Sequence, residues 1–205
     1  MEGNWAVTIM NMIDKITKLI YINVLWVFFV LIGLGLFGFM PATATVNILV
    51  RKLMMGEELS GVFKRFWTVY KESFVSSNLV GLLFLIIGIF LYVDINILLG
   101  TQSVIGKVVL SLLFMILIMF TATVLHFFPI YARFEMKTFN YIKLSFVIAM
   151  SQPITTILMV LWLLVVGILS VQYTVMLPLL FVTMISIGIN WLSIKRIEKK
   201  NPLSE

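Results

Sequence analysis

The last third of the chain contains a long stretch with no charged side chain. No Asp, Glu, Lys or Arg occurs between Lys143 and Lys195. A helix rises about 1.5 Å per residue, so about 20 apolar residues cross a hydrocarbon core about 30 Å thick, and this stretch holds two such crossings. The whole chain is 61% hydrophobic and 12% charged, whereas soluble domains are about 45–50% apolar and about 25% charged. The sequence therefore predicts an all-α, polytopic integral membrane bundle.

The composition also limits the chemistry that this chain can perform. It contains no cysteine, one histidine and nine acidic residues, which excludes disulfide scaffolds, iron–sulfur clusters and thiol catalysis. It has neither a glycine-rich phosphate loop nor a Ser/His/Asp constellation. We therefore expect no enzyme activity, no catalytic residue, no metal and no cofactor. The net charge is +6, and the basic residues lie between apolar blocks. This arrangement favours contact with anionic lipid over binding to nucleic acid.

Four segments are long and apolar enough to cross the bilayer, namely residues 79–99, 104–128, 154–170 and 174–194. A fifth block, residues 20–50, would be about 46 Å long as one straight helix, which is too long without strong tilt. Glycines and Pro41 in its middle predict a broken helix with legs of about 20–38 and 41–52. The chain thus has five spans or six helical legs, depending on whether this block crosses once or forms a hairpin.

The distribution of Lys and Arg predicts which ends of the helices face the cytoplasm. These residues concentrate in segments 51–78 and 129–153 and in the C-terminal tail, whereas the opposite loops contain only Lys107. Since short loops rich in Lys and Arg stay in the cytoplasm, we place those segments and the C-terminus there. Lys15 and Lys18 favour a cytoplasmic N-terminus, which requires the hairpin. The 20–205 region is then one transmembrane domain.

Two segments are predicted to be amphipathic helices at the membrane surface. Residues 1–19 carry an apolar stripe and are too polar for a signal peptide, so we expect a retained interfacial helix. Residues 59–74 carry aromatic side chains at helical spacing beside basic ones, and residues 131–151 repeat this pattern more weakly. The 59–74 helix either lies in the headgroup region or docks onto a cytoplasmic partner. Its predicted contact residues are Phe63, Lys64, Arg65, Phe66, Trp67 and Tyr70.

Four polar residues inside the apolar segments are candidates for an intramembrane site, because burying polar groups in lipid is costly. They are Thr43, Asn47, Asp94 and Asn190. Polar groups beside a helix break are typical of substrate sites in transporters. The alternative for Thr43, Asn47 and Asn190 is hydrogen bonding between helices, and the alternative for Asp94 is an interfacial cap with Tyr92. The sole histidine, His126, is expected to be a hydrogen-bonded interfacial residue.

The first third of the chain resembles the YesL family of bacterial membrane proteins, which form the domain-of-unknown-function group DUF624. The resemblance is carried by residues 23–26, 38–44, 51–57, 63–67 and 70–74, supported by the length, residues 92–94 and the basic C-terminus. It implies a multi-pass protein of the bacterial cytoplasmic membrane. Family members are often encoded near carbohydrate-uptake ABC transporters and polysaccharide-degrading enzymes.

Three functional hypotheses follow from these observations. The first is a non-enzymatic accessory or component of a carbohydrate uptake system, whose partners would be the lipid bilayer and ABC transporter subunits. The second is a small-solute carrier or substrate-capturing subunit with its site at the break between residues 33 and 47. The third is an assembly or regulatory membrane factor without a ligand.

Overall fold

The computed structural model describes residues 4–173 and 176–198. Within these residues the chain forms helices and no strands, so the all-α prediction is confirmed. Among the described residues, four stretches are long and apolar enough to cross a membrane: Val7–Ile32, Val62–Leu99, Val104–Arg133 and Pro153–Gln172. The seven helices of the described residues are α1 (Asn4–Ile32), α2 (Leu36–Met54), α3 (Val62–Leu99), α4 (Val104–Arg133), α5 (Thr138–Ser151), α6 (Pro153–Gln172) and α7 (Met176–Glu198).

Helix α1 joins two segments that the sequence analysis had separated. The predicted interfacial helix 1–19 and residues 20–32 of the predicted leg 20–38 form one helix from Asn4 to Ile32. Residues 1–3 lie outside the described part. No glycine or proline occurs between Asn4 and Ile32. Because nothing in this stretch disfavours helix, the amphipathic pattern passes into the apolar one without a boundary.

The predicted break in the 20–50 block exists, but it lies earlier than expected. The chain turns at Gly33–Gly35 rather than between residues 38 and 41, and Leu34 and Gly35 take positive φ angles of 56° and 73°. Helices α1 and α2 pack side by side after this turn. Their approach is close, since a Cβ added at Gly33 would lie 2.2 Å from the Gly38 Cα. The hairpin geometry thus depends on glycines at both positions.

Pro41, which was predicted to begin the second leg, lies inside α2, which already starts at Leu36. A proline has no backbone N–H, so the carbonyl four residues earlier loses its helical partner. That carbonyl belongs to Phe37, and it accepts a hydrogen bond of 2.9 Å from the Asn78 side-chain amide of α3. A neighbouring helix therefore satisfies the backbone group that Pro41 leaves free, as membrane helices with internal prolines require.

Helix α3 also combines two predicted segments. The predicted amphipathic helix 59–74 and the predicted span 79–99 form one helix of 38 residues, Val62–Leu99, which is about 57 Å long. The polar residues between them do not interrupt it, because the Ser77 hydroxyl bonds back to the Ser73 carbonyl at 2.6 Å within the same helix. The N-terminal half of α3 is therefore continuous with the apolar half.

The remaining helices differ from the predicted spans at their ends. Helix α4 continues through Pro129 to Arg133 rather than ending at residue 128. Helix α6 extends beyond the predicted span 154–170 at both ends. Helix α7 extends past residue 194 at its C-terminal end, and residues 174–175 of the predicted span 174–194 lie outside the described part. Helix α5 occupies most of the weakly amphipathic segment 131–151.

Helix α2 is the centre of the bundle. It contacts α1, α3, α4 and α7, and ten of its 19 residues are buried. One apolar cluster packs α2 against α1, the start of α3 and α7. A second cluster packs it against α3, α4 and α5. This central position explains why α2 tolerates polar residues that a lipid-facing helix would exclude.

Candidate functional site

A line of polar side chains, which we call the polar seam, joins α1, α2 and α7. It consists of Asn23, Thr43, Asn47, Ser186 and Asn190. The Asn190 side-chain amide donates to the Asn47 Oδ1 at 3.0 Å and to the Ser186 carbonyl at 2.8 Å. The Asn47 amide donates in turn to the Thr43 carbonyl at 2.9 Å. Two residues that are 143 positions apart in sequence thus form a direct amide pair inside the protein.

Thr43 extends the seam toward α1. Its hydroxyl accepts a hydrogen bond of 3.0 Å from the Trp26 indole N–H and donates to the Phe39 carbonyl at 2.7 Å. The structure therefore brings together three of the four residues predicted for a polar intramembrane site. It does not bring Asp94 to them, because Asp94 is exposed on α3 and α3 makes no contact with the described part of α7.

Asn23 is a member of the seam that the sequence analysis did not select. Its amide nitrogen donates to the Pro178 carbonyl at 2.8 Å, and its Oδ1 accepts from the backbone N–H groups of Val182 and Thr183 at 3.0 and 3.2 Å. Pro178 and Val182 are an i and i+4 pair, whose carbonyl and N–H an α-helix joins. The Asn23 carboxamide therefore bonds to both of these backbone groups. Asn23 is the one asparagine in the apolar leg 20–38, and this was the available signal.

The hydrogen bonding of the seam favours a role in packing the helices. The Asn23, Asn47 and Asn190 side chains are buried, and each bonds to a neighbouring helix or to its own backbone. Such bonds between membrane helices contribute about 0.6–2 kcal/mol each. The Ser186 hydroxyl differs, since it is buried and has no hydrogen-bond partner within the described residues.

The predicted contact helix is packed onto α1 by an aromatic cluster centred on Phe29. The Phe29 ring lies 5.0 Å from Phe66, 5.5 Å from Trp67 and 4.9 Å from Tyr70, measured between ring centroids. Phe66 and Tyr70 are buried, whereas Phe63 and Trp67 remain 48% and 39% exposed. Half of the predicted aromatic contact face therefore lies inside the protein and is not available to a partner.

The opposite side of this half-helix carries polar groups that face outward. Lys64 and Thr68 are exposed, and Arg65 lies 3.7 Å from the Glu57 carboxylate. Together with neighbouring residues they line an open cleft of about 470 Å³. We call this surface the outer face of α3; it consists of Ser60, Gly61, Lys64, Arg65, Thr68 and Val69.

A second opening is an apolar groove between α2, α3 and α4. Its volume is about 630 Å³, and Asn78 is its one polar lining residue among hydrophobic ones. The Asn78 amide is already used by the Phe37 carbonyl. The surface that the groove offers is thus almost entirely apolar.

His126 is a buried residue of α4, and its Nε2 lies 3.0 Å from the hydroxyl of Thr156 in α6. This is the hydrogen-bonded position that the sequence analysis expected. Within the described residues no group of three His, Cys, Asp or Glu side chains lies close enough to hold a metal ion. His126 is therefore not part of such a group in that part of the chain.

The fold and the seam define a class of protein: a helical membrane bundle whose interior polar groups bond one helix to another. The chain belongs to the YesL family of uncharacterised proteins, and the family described as "Protein of unknown function, DUF624" matches residues 19–95. The chain is 33% identical to Uncharacterized protein YesL of Bacillus subtilis (strain 168) over 144 residues, which cover 70% of this chain and 68% of YesL.

Two further proteins of the same organism are similar to this chain. Uncharacterized protein YteU is 34% identical over 139 residues, which cover 67% of this chain and 62% of YteU. Uncharacterized protein YesV is 26% identical over 143 residues, which cover 70% of this chain and 69% of YesV. The match therefore spans less than two thirds of YteU. No solved structure matches this chain.

Proposed function

We propose that this chain is a non-enzymatic accessory protein or component of an ABC-type carbohydrate uptake system, and that it acts by contacting partner subunits. The observation that carries the proposal is that the Asn47 and Asn190 side chains of the polar seam already form hydrogen bonds within the protein. The Asn47 and Asn190 amides bond to each other and to helix backbones, so they are poorly suited to hold a polar solute. The carbohydrate part of the proposal rests on what the family resemblance implies.

The outer face of α3 is the surface best suited to a partner. Lys64 and Thr68 are exposed, and the aromatic cluster fixes the helix behind them onto α1. A preformed, rigid face loses little conformational freedom on binding, which favours affinity. Because segment 51–78 is predicted to be cytoplasmic, the partner would be met on that side of the membrane.

Site-specific crosslinking in native membranes tests this proposal. A photoreactive amino acid at Thr68 is expected to form an adduct with a permease subunit of a carbohydrate ABC transporter, identified by mass spectrometry. The matched control is the same amino acid at Ile118, which is 69% exposed on α4 in an apolar stretch and is expected to yield lipid adducts. Protein adducts restricted to an unrelated membrane-assembly factor would contradict the uptake role, as would lipid adducts alone at both positions.

A charge reversal on the outer face of α3 tests the same proposal through carbohydrate uptake. Lys64→Glu is expected to reduce carbohydrate uptake in cells while leaving the amount of protein in the membrane unchanged. Lys107→Glu, an exposed lysine at the start of α4, is expected to leave uptake unchanged. Phe66 is unsuitable for this test, because its side chain is fully buried and a charge there would unfold the packing with α1.

A small-solute carrier is a second candidate, favoured by one observation. The Ser186 hydroxyl is buried beside Asn190 and lacks a hydrogen-bond partner among the described residues, so a polar ligand would find one free donor there. Uptake of a labelled solute by proteoliposomes containing this chain alone, abolished by Ser186→Ala, would support a carrier. No uptake by the isolated chain would favour the accessory role.

A further inference from the structure

The C-terminal ends of α2 and α4 are adjacent, and each carries an arginine. Arg51 lies in the last turn of α2, and Arg133 is the last residue of α4. The Arg51 Nη1 donates a hydrogen bond of 3.2 Å to the carbonyl of Ala132, the residue before Arg133. Helix C-termini carry partial negative charge, which stabilises a nearby cation. This explains one arginine at each helix end but not the proximity of the two.

The local charge is not balanced by acidic residues. The charge of Arg133 opposes that of Arg51, and the carboxylate that supports Arg51 belongs to Glu57. Glu57 is shared, since it lies 4.0 Å from Lys52 and 3.7 Å from Arg65. An excess of positive charge therefore remains at this end of the bundle.

One hydrogen-bond donor of Arg51 is unused within the described residues. Its Nε is buried and has no hydrogen-bond partner within the described residues. Buried donors in proteins are nearly always bonded, and a guanidinium presents its donors in a planar fork that matches phosphate oxygens. Arg133 directly follows the residue whose carbonyl Arg51 binds, and its guanidinium lies 5.6 Å from the Phe134 ring centroid. Two guanidinium groups at one end of the bundle, one of them with an unused donor, are suited to a phosphate.

We propose that Arg51 and Arg133 bind a phosphate group, of the kind carried by anionic phospholipids and by free inorganic phosphate. The bound anion would accept a hydrogen bond from the Arg51 Nε and relieve the repulsion between the two guanidinium groups. The position favours a lipid source, because the basic segments after α2 and α4 are predicted to face the anionic cytoplasmic leaflet. This inference does not depend on the proposed uptake role.

Ligand-induced stabilisation of the purified, detergent-solubilised full chain tests the site. Three probes are compared: phosphatidylglycerol, inorganic phosphate, and diacylglycerol with the same acyl chains but no phosphate. Phosphatidylglycerol is expected to raise the unfolding temperature in a saturable way, and diacylglycerol is not. Stabilisation by inorganic phosphate alone would retain the site and assign it to the free anion. Equal stabilisation by phosphatidylglycerol and diacylglycerol would overturn the proposal.

Substitutions locate the effect. Arg133→Gln, which leaves the Arg51 bond to Ala132 in place, is expected to weaken phosphatidylglycerol binding about tenfold, the loss expected for one charge-assisted hydrogen bond. Arg51→Gln is expected to do the same where the variant folds. The control is Lys107→Gln, which removes an exposed cation at the other end of α4 and is expected to leave binding unchanged. Unchanged binding by Arg133→Gln, or an equal loss in Lys107→Gln, would contradict the assignment.

Discussion

At the scale of single residues, the fold depends on side-chain amides that complete the hydrogen bonding of another helix. Asn78 serves the Phe37 carbonyl that Pro41 leaves free, and Asn23 bonds to three backbone groups of α7. In a hydrocarbon surrounding, a backbone group without a partner costs several kcal/mol because no water replaces it. These residues therefore contribute to stability through the backbone groups that they satisfy.

The Asn23→Leu substitution tests this interpretation. It removes the side-chain amide, so we expect the free energy of unfolding to fall by about 2 kcal/mol. Thermal unfolding of the detergent-solubilised protein, followed by circular dichroism, measures the change. The matched control is Asn96→Leu, because Asn96 is exposed and bonds only to the Tyr92 carbonyl of its own helix; we expect a change within about 0.5 kcal/mol. Equal effects would show that the bridge to α7 contributes nothing specific.

At the scale of helices, the α1–α2 hairpin is determined by close backbone contact. A Cβ added at Gly38 would lie 2.7 Å from both the Phe29 and the Val30 carbonyl oxygens. These atoms belong to the backbone of α1 and cannot move independently. The aromatic cluster on Phe29 then attaches the N-terminal half of α3 to the same hairpin. Three helices thus form one unit around the α1–α2 contact.

Gly38→Ala is expected to push α1 away from α2 and destabilise the protein by about 1–3 kcal/mol, the usual cost of overpacking. The matched control is Gly167→Ala in α6, where an added Cβ would meet no atom within 4 Å. Since alanine is favoured over glycine in a helix by about 1 kcal/mol, we expect that variant to be at least as stable as the parent. Thermal unfolding of both variants gives the comparison. A Gly38→Ala protein as stable as Gly167→Ala would contradict the close packing.

At the scale of the whole molecule, the orientation in the membrane follows from the positions of the basic residues. Segments 51–78 and 129–153 are predicted to be cytoplasmic, whereas the α1–α2 turn and the α3–α4 loop are predicted to face outward. Leu34 at the turn is 84% exposed, so the tip of the hairpin is accessible outside the bundle. This arrangement requires the hairpin to reach the outer surface.

Single cysteines report this orientation without interference, because the chain contains no cysteine. Cysteine at position 34 or 103 is expected to react with a membrane-impermeant thiol reagent added to intact cells. Cysteine at position 11 or 60 is expected to react only after the cells are opened. Labelling at 11 but not at 34 in intact cells would replace the hairpin with a single first crossing.

The sequence by itself determined the class of fold and part of the polar seam. The uncharged stretches specify helices in lipid, because a helix bonds its own backbone N–H and C=O groups, whereas loops and open sheet edges leave them without partners there. Rare polar residues within those stretches stand out, which is why Thr43, Asn47 and Asn190 could be selected before their contact was known. The rarity of a polar residue does not show which helix it faces, so the sequence could not tell that Asp94 is exposed and lies apart from the seam.

Only the tertiary structure decided where helices end and which surfaces remain free. A neighbouring helix satisfies the carbonyl that Pro41 leaves free in α2, and another helix gives Asn23 its partners in α7. Helix α4 also continues through its proline, Pro129. The aromatic pattern of residues 63–74 was correctly read as helical, but the packing onto Phe29 buried half of it. Local patterns describe one helix at a time, whereas hydrogen-bond partners and burial depend on distant segments that meet only in the folded chain.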